Sequence, residues 1–343
     1  MRRRPLVSVC VPAFDGARTL RRCLESARRQ TFRDLELVVV DDASADATPD
    51  VIADAARRET RLRAFRNAGR LGMAANWNRC AALARGTWLK FVFQDDLLDP
   101  DCLERMLAAA GPRDALVVAR RRLRFESGVG AAVKAEYRAD AREHDLRRRF
   151  PGPSRVSAAR VARLMVHRPT DNCVGEPSAV LIRRDALRRF GGFDPALAML
   201  CDWELCARVA VNAGLRRVDA PLATFRVHGG SVSAAHRRRD RYRAEVLDGL
   251  LIREALACSP AYAPVRRAAR RWRPPVDLRA ALATAVSEAR RLARRYPGGR
   301  AAWAELLARR PRLAAAARRP APSLPLSAGL RRAALDLLAA ANH

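Results

Sequence analysis

Lysine and aromatic residues are scarce in this sequence of 343 residues, and long apolar runs are missing. Lys90 and Lys134 are the two lysines among 66 basic residues, and aromatic residues make up 6%. Arg, Asp or Pro interrupts every apolar run well before the roughly 18 residues that a membrane-spanning helix needs. The basic start is not followed by a hydrophobic segment with a small-residue cleavage site. We therefore predict a cytoplasmic protein without a transmembrane helix.

Metal-binding cysteine patterns are missing as well. The eight cysteines include no Cys-x-x-Cys pair, and none has a histidine at zinc-ligand spacing. This excludes the common zinc modules. We expect the thiols to stay reduced, as is usual in the cytoplasm.

Positive charge is abundant. The 66 basic and 36 acidic residues give a formal net charge of +30. The arginines are scattered without interleaved aromatic residues, which indicates permissive surface positions rather than a nucleic-acid interface. The alternative is attraction to anionic partners such as membrane lipid, lipid-linked phosphate or nucleic acid. We expect no specific nucleic-acid partner, although a basic nucleic-acid-binding protein stays open as an alternative.

The first half of the chain alternates between strand and helix patterns. This alternation predicts an α/β fold with a mostly parallel, Rossmann-like sheet flanked by helices. The predicted strands cover residues 6–11, 35–40, 62–66 and 88–93, and the predicted helices cover 18–30, 48–58 and 73–84. Residues 123–155 are charged and contain glycines and prolines, which predicts a connection or flexible lid. Strand and helix patterns return after residue 156.

Composition changes beyond Ser233, where Arg/Ala/Leu-rich helical patterns begin. We predict a first domain over residues 1–232, with one half at about 1–120 and a second half at about 156–232. Residues 233–343 are predicted to form a helical C-terminal region. Its amphipathic helices pack on the first domain or form a dimer; the alternative is peripheral docking to an anionic membrane.

Two pairs of adjacent carboxylates follow buried strands. Asp41 and Asp42 can accept hydrogen bonds from a base N–H or a ribose hydroxyl, and the alternative is capping of the next helix. The adjacent carboxylates of Asp95 and Asp96 repel each other, and a bound divalent cation would relieve this repulsion. Such an ion, held by one or two carboxylates and diphosphate oxygens, is usually Mg²⁺ or Mn²⁺. Two solvated loop acids are the alternative.

These pairs occur together with other motifs in an order that resembles family 2 glycosyltransferases, which have the GT-A fold. The segments that carry the resemblance are VSVCVPAFD at residues 7–15, VDDAS at 40–44, GMAANWN at 72–78, FQDD at 93–96, GEPS at 175–178, GGFD at 191–194, DWEL at 202–205 and FRVH at 225–228. The resemblance implies an inverting, metal-dependent transfer of a sugar from a nucleoside-diphosphate sugar, by default a UDP-sugar. The implied acceptor is a glycan or a lipid-linked molecule in cell-envelope polysaccharide synthesis. The resemblance also makes residues 1–232 the catalytic domain, with the nucleotide-binding half at about 1–120 and the acceptor half at about 156–232.

Residue roles follow from the same resemblance. Pro12 and Phe14 line the nucleoside pocket, and Asp42, together with Asp41, hydrogen-bonds the base. Asp96 is the main ligand of Mg²⁺ or Mn²⁺, and Asp95 is shared between the metal and the ribose.

The metal motif departs from the family's most frequent form, because Phe93 stands where an acid is usual. This keeps a nucleotide-binding pseudoenzyme open as an alternative. His228 is a further candidate for contact with the metal or the diphosphate, in a glycine-containing loop where Arg226 pairs with phosphate. The alternative is a turn with an exposed imidazole.

The resemblance also implies a catalytic base at the start of the DWEL helix. Asp202 is our candidate to take the proton from the acceptor hydroxyl, and Glu204 competes with it. Acids at helix starts are also common as caps. A nucleotidyltransferase is a further alternative, but residues 12–18 match its glycine-rich phosphate loop poorly.

Overall fold

A computed structural model describes residues 4–229 and 241–318. Within these residues the chain forms two compact units. The first comprises residues 4–157, 172–195 and 213–229, and the second comprises 158–171, 196–212 and 241–318. The predicted boundary at residue 232 stays a prediction, and parts of the predicted C-terminal region, 233–240 and 319–343, lie outside the described residues.

The strands all belong to the first unit. They are β1 (Val7–Ala13), β2 (Leu35–Asp41), β3 (Leu62–Arg66), β4 (Trp88–Phe91), β5 (Leu97–Leu98), β6 (Leu116–Phe125), β7 (Arg155–Val156), β8 (Val180–Arg183) and β9 (Leu215–Val227). They form one mixed sheet with the order β3-β2-β1-β4-β8-β6-β9-β5, and β7 pairs with β9. The predicted α/β class, with a mixed, mostly parallel sheet and flanking helices, is confirmed.

The helices of both units are as follows. In chain order they are α1 (Ala17–Arg28), α2 (Thr48–Arg58), α3 (Met73–Leu83), α4 (Cys102–Ala109), α5 (Ala131–Glu143), α6 (Leu146–Arg149), α7 (Ala158–His167), α8 (Arg184–Phe190), α9 (Cys201–Ala213), α10 (Asp248–Cys258), α11 (Ala263–Arg271), α12 (Leu278–Leu292), α13 (Gly299–Arg309) and α14 (Pro311–Ala317). No helix within the described ranges is long and apolar enough to cross a membrane.

The parallel half of the sheet is centred on β1. Strand β1 pairs in parallel with β2 on one side and β4 on the other, and β2 pairs in parallel with β3. Every residue of β1 and β2 is buried, as expected for strands covered by helices on both faces. Ala13 and Asp41 are partners in the register, so β1 and β2 end at the same edge.

A polar group lies inside this apolar core. Glu36 of β2 is buried and accepts hydrogen bonds from Ser8 Oγ at 2.6 Å, Arg63 Nη1 at 2.9 Å and the Arg85 N–H at 2.7 Å. Gly86 is needed beside it, because a Cβ there would lie 2.5 Å from the Ser8 nitrogen. The carboxylate therefore ties β1, β2 and β3 to the segment before β4.

The prediction of an irregular connection over residues 123–155 is wrong. Strand β6 extends to Phe125 and is followed by α5, α6 and β7. The second half of β6 pairs in parallel with β9, and its residues alternate between exposed and half-buried. Arginines on such a strand look like loop residues in the sequence, because the partner strand lies about a hundred residues further on.

The second unit is helical. In its C-terminal part, a helical turn at Arg243–Leu247 leads directly into α10. Tyr242 is buried beside it and donates a hydrogen bond to the Ala289 carbonyl of α12 at 2.7 Å. Helix α7 joins the same unit, where His167 lies edge-to-face against Trp272 with ring centroids 4.2 Å apart.

Candidate functional site

The carboxyl ends of β1, β2 and β4 meet at one edge of the sheet. After β1 the chain adds β2 on one side, whereas β4 lies on the other side, so the direction of strand addition switches at this point. Ligands of open α/β sheets bind in such a crevice. Pro12 is buried inside β1, and Phe14, directly after the strand, is half-buried. The predicted nucleoside contacts thus lie at or next to the switch point.

Gln94 joins the loops that follow β1 and β4. Its Oε1 accepts the Phe14 N–H at 2.8 Å, and its Nε2 donates to the Phe14 carbonyl at 2.9 Å. On the other side, the guanidinium of Arg70 lies 3.9 Å from the centroid of the Phe14 ring. The backbone and ring of Phe14 are therefore both held in place. Sequence reasoning missed Gln94, because nothing in the FQDD segment indicates a partner 80 residues earlier.

Asp41 has one carboxylate oxygen without a hydrogen bond. Oδ1 accepts from the N–H of Ser44 at 3.2 Å and also from its Oγ. Oδ2 is buried and has no hydrogen-bond partner among the described residues; Arg66 Nε approaches it at 3.5 Å, longer than an ordinary hydrogen bond. A buried acceptor left unpaired is costly, so Oδ2 suits a donor supplied by a ligand.

Asp42 is used differently. Its Oδ1 accepts from Asn67 Nδ2 at 2.6 Å and from the Leu71 N–H at 2.8 Å, and its Oδ2 accepts the Gly72 N–H at 2.9 Å. The side chain is buried. These bonds hold the loop between β3 and α3. The geometry therefore favours Asp41 over Asp42 as the carboxylate that meets a base.

Asp96 is completely buried. Its Oδ2 accepts from Ser178 Oγ at 2.5 Å, and its Oδ1 accepts the Arg226 N–H at 3.3 Å. Burial, followed by the neighbouring Asp95 charge, raises the pKa of Asp96 well above its usual range. Below it, Lys90 is also buried and donates to the Ser178 carbonyl at 2.5 Å. The residue that we predict as the main metal ligand thus has both oxygens engaged by the protein.

Asp95 instead faces a histidine. Its Oδ2 lies 3.1 Å from His228 Nε2, and the two side chains keep 20% and 15% of their surface exposed. His228 follows directly after Val227, the last residue of β9, so the expectation of a glycine-containing loop around His228 is wrong for residues 225–227, which belong to the strand. Arg226, predicted to pair with phosphate, is buried and donates from Nε to the Asp95 carbonyl.

No cluster of three or more His, Cys, Asp or Glu side chains is arranged to hold a metal within residues 4–229 and 241–318. The Asp95–His228 pair therefore provides two ligands at most. Hard divalent ions are often bound by one or two carboxylates and completed by substrate phosphates and water. A pair of this composition fits a cation that arrives with a diphosphate.

The aromatic residues near this edge form core. Phe93, at the position of the usual acid, stacks on Trp77 with ring centroids 4.4 Å apart, and Trp77 meets Phe193 edge-to-face at 5.1 Å. Asn78 donates from Nδ2 to the Phe193 carbonyl and accepts its N–H, both at 2.8 Å. Asn76 donates to the Val40 carbonyl at 3.2 Å. The segment 76–78 thus packs the strand ends together.

Asp202 and Glu204 lie in the first turn of α9, in the second unit. Glu204 is buried and accepts from Arg208 Nη2 at 2.8 Å and from the Tyr262 hydroxyl at 2.8 Å. Asp202 is half-buried, and its Oδ1 accepts the Trp203 N–H at 2.6 Å. Glu204 is thus enclosed by an arginine and a tyrosine in a buried network, whereas Asp202 lies nearer the surface.

Sequence relatives and solved structures agree with the fold. Residues 8–190 match the family described as Glycosyl transferase family 2. The chain is 32% identical over 253 residues to the Mycobacterium tuberculosis protein MT1568, covering 73% of this chain and 76% of that protein. It is 40% identical over 114 residues to the succinoglycan biosynthesis protein ExoO of Rhizobium meliloti, covering 33% of this chain and 32% of that protein.

Two solved structures share the fold at lower identity. The mannosyltransferase PcManGT of Pyrobaculum calidifontis, in complex with GDP-Man and Mn²⁺, superposes with a TM-score of 0.55 at 21% identity, covering 99% of this chain and 87% of that chain. TarS of S. aureus, in complex with UDP-GlcNAc, gives a TM-score of 0.53 at 19% identity, covering 76% and 70%. With the family match over more than half of its length, the chain belongs to glycosyl transferase family 2 and has the GT-A fold.

Proposed function

We propose that this protein is an inverting glycosyltransferase that moves a sugar from a nucleoside-diphosphate sugar onto a hydroxyl of a glycan or lipid-linked acceptor. The observation that carries the proposal is one edge of the sheet, where strands end at or just before Asp41, Asp95 and His228. Oδ2 of Asp41 has no hydrogen bond among the described residues, and Asp95 and His228 form a pair. Oδ2 of Asp41 suits the N–H of a nucleotide base, and the Asp95–His228 pair suits a cation beside a diphosphate. Family membership makes sugar transfer the matching reaction.

Donor binding is assigned as follows. Phe14 and Pro12 border the base, Asp41 accepts from it, and Asp42 holds the neighbouring loop. Asp95 and His228 would hold Mg²⁺ or Mn²⁺. Asp96 supports Asp95 from the interior through Arg226, whose N–H donates to Asp96 and whose Nε donates to the Asp95 carbonyl. When bound, the cation neutralises charge that develops on the departing nucleoside diphosphate. A UDP-sugar is our default donor; the TarS complex with UDP-GlcNAc supports it, and the PcManGT complex with GDP-Man makes GDP-mannose the competing candidate.

Transfer requires a base on the acceptor side. We assign this role to Asp202, which removes the proton of the attacking hydroxyl as the bond between sugar and phosphate breaks. The product is assigned to cell-envelope polysaccharide synthesis, and the similarity to a succinoglycan biosynthesis protein supports this class. We place the enzyme in the cytoplasm, at the inner face of the membrane where a lipid-linked acceptor would lie.

Calorimetric titration with UDP, GDP and dTDP, each with and without Mn²⁺, tests the proposal. We expect metal-dependent binding of one nucleotide to the wild type and a loss of at least about 10-fold in affinity in Asp95→Ala, because one charge-assisted ligand is removed. Asp101→Ala is the matched control, since it also removes one carboxylate from the first unit, and Asp101 lies directly before α4 and is paired at the surface with Arg105.

The nucleotide that binds identifies the class of nucleotide sugars to test as donors. Release of the nucleoside diphosphate from these donors is measured in the presence of Mn²⁺, with water as the acceptor. Turnover supports the transferase. Binding without turnover of any conjugate would favour the pseudoenzyme. No nucleotide binding, together with salt-dependent binding to arbitrary DNA, would reject the proposal in favour of a basic nucleic-acid-binding protein.

A further inference from the structure

The segment before α9 is held by a carboxylate from the C-terminal helices. Asp248, the first residue of α10, is buried. Its Oδ1 accepts the Ala198 N–H at 2.8 Å, and its Oδ2 accepts the N–H groups of Met199 at 2.6 Å and Leu200 at 2.8 Å. Three consecutive amides thus converge on one side chain that follows them by about 50 residues. All four residues belong to the second unit.

These amides lie at the entrance of the helix that carries Asp202. The Leu200 carbonyl accepts the Glu204 N–H at 2.8 Å, which is the first turn of α9. The three bonded amides directly precede Cys201, the first residue of α9, and a negative charge near a helix start is favoured by the helix dipole. Asp248 therefore holds the segment that enters α9 and sets the backbone two to four residues before Asp202.

Other contacts fix the opposite side of the same turn. Trp203 is buried and donates from Nε1 to the Pro169 carbonyl at 2.9 Å. Glu204 is tied to Arg208 and Tyr262. Asp202 lies between these anchored neighbours and is half-buried. The direction in which its carboxylate leaves the helix thus depends on Asp248 on one side and on Trp203 and Glu204 on the other.

We infer that Asp248 is a positioning residue for the catalytic base, and that this is a function of the C-terminal helices in the transfer reaction. The inference rests on the proposed role of Asp202. In this role Asp248 acts through Asp202 and needs no contact with the substrate. Its charge holds three amides in a fixed array, and a displacement of about 1 Å at a reacting group costs on the order of 100-fold in rate.

Asp248→Asn is the first test. The amide keeps one acceptor oxygen but turns an N–H₂ group towards a backbone N–H, so at least one of the three bonds is lost. We expect kcat for release of UDP from UDP-GlcNAc, or of GDP from GDP-mannose, to fall about 10- to 100-fold, with KM for the donor unchanged. Asp248→Glu keeps the charge but moves it by one methylene, so its kcat should lie between those of the wild type and Asp248→Asn.

Asp277→Asn is the matched control. Asp277 likewise binds backbone N–H groups at a helix start in the second unit, accepting those of Arg279 at 2.8 Å and Ala280 at 3.1 Å. Its helix is α12, which does not carry Asp202. Asp277→Asn should lose stability without losing kcat. Hydrogen exchange of the amides of residues 198–200 should become faster in Asp248→Asn and stay unchanged in Asp277→Asn, and this readout does not depend on turnover.

Combination with Asp202→Asn separates positioning from general damage. If Asp248 acts through Asp202, the double variant should turn over no more slowly than Asp202→Asn alone. The inference would be overturned if Asp248→Asn lowered kcat by the same factor in the Asp202→Asn background as in the wild type, or if Asp248→Asn alone left kcat unchanged. Either result would leave Asp202 as the base. A wild-type kcat in Asp202→Asn would instead remove the proposed role of Asp202, and the inference with it.

Discussion

Asp41 and Asp42 are neighbours in the chain, yet their side chains meet different surroundings at the end of β2. Three protein donors saturate Asp42, whereas one buried oxygen of Asp41 has no hydrogen bond among the described residues. The same division separates Asp96, enclosed by Ser178 and Arg226, from Asp95 beside His228. In each pair one carboxylate holds the edge of the sheet together, and we propose that the other binds the donor or its cation.

The first pair gives a prediction with opposite outcomes for adjacent residues. We expect Asp41→Asn to weaken nucleoside-diphosphate binding about 10-fold or more, since a hydrogen bond to a charged group contributes about 1.5 to 3 kcal/mol. Its melting temperature should change little, because the amide oxygen can still accept from Ser44. Asp42→Asn should instead lower the free energy of unfolding by about 2 kcal/mol.

Calorimetric titration and thermal unfolding of the two variants check this. Each variant is the control of the other, since both remove one charge from the same strand end. The assignment is wrong if Asp42→Asn abolishes binding at wild-type stability while Asp41→Asn binds the nucleotide normally.

Which residues carry the site was partly predictable from the sequence. Paired acids after buried strands indicate Asp41, Asp42, Asp95 and Asp96, because strand ends and carboxylates are both local signals. The role of each member was not predictable, since it depends on partners such as Gly72, Ser178 and Arg226 that lie tens of residues away. Gln94 was missed for the same reason.

At the scale of elements, β1, β2 and β4 were predictable because a buried parallel strand is a mostly apolar run. None of the residues of β3 is buried, and it was recognised by its place in the alternation of strands and helices. Strands β5, β6, β7 and β9 were not predicted. Strands β5 and β7 have two residues each, and β6 and β9 carry arginines and pair across several intervening helices and strands. Long-range pairing with one polar face leaves little trace in a single sequence.

The buried carboxylate of β2 gives a prediction about acid stability. Burial alone would raise the pKa of Glu36, but hydrogen bonds from Ser8, the Arg85 backbone and Arg63 outweigh it and lower this pKa. Because the pKa is lower in the folded than in the unfolded chain, Glu36 stabilises the fold above the unfolded value of about 4.3. This contribution is lost as the pH falls through the folded pKa.

We therefore expect Glu36→Gln to lower the free energy of unfolding by about 2 kcal/mol at pH 7. The difference from the wild type should narrow below about pH 4. Urea unfolding at several pH values measures both. Glu25→Gln is the control: the Arg28 hydrogen bond lowers the pKa of Glu25 to about 2, but the pair is well exposed, so a few tenths of a kcal/mol are expected. Parallel pH curves for wild type and Glu36→Gln would contradict this account.

At the scale of the whole molecule, the net charge of +30 belongs to no single site. The second unit carries exposed arginines on or directly after helices whose apolar residues are buried in the unit. They include Arg267, Arg270 and Arg271 on α11, and Arg294 and Arg295 directly after α12. The exposed face of a packed helix needs polar residues to be solvated, but it does not need an excess of positive over negative charge. The excess is compatible with an anionic surface, such as the membrane that would carry a lipid-linked acceptor.

Vesicle sedimentation decides whether this charge has a use. We expect the protein to bind vesicles that contain phosphatidylglycerol, to ignore phosphatidylcholine vesicles, and to be released at about 0.5 M salt, where the screening length falls to a few ångströms. Replacing the five named arginines by glutamine should weaken binding at least 10-fold, since each basic residue near an anionic surface contributes about 1 kcal/mol. Replacing them by lysine should not. If the wild type and the glutamine variant bind equally or neither binds, these arginines only solvate the helices, and the acceptor must reach the enzyme without help from the lipid charge.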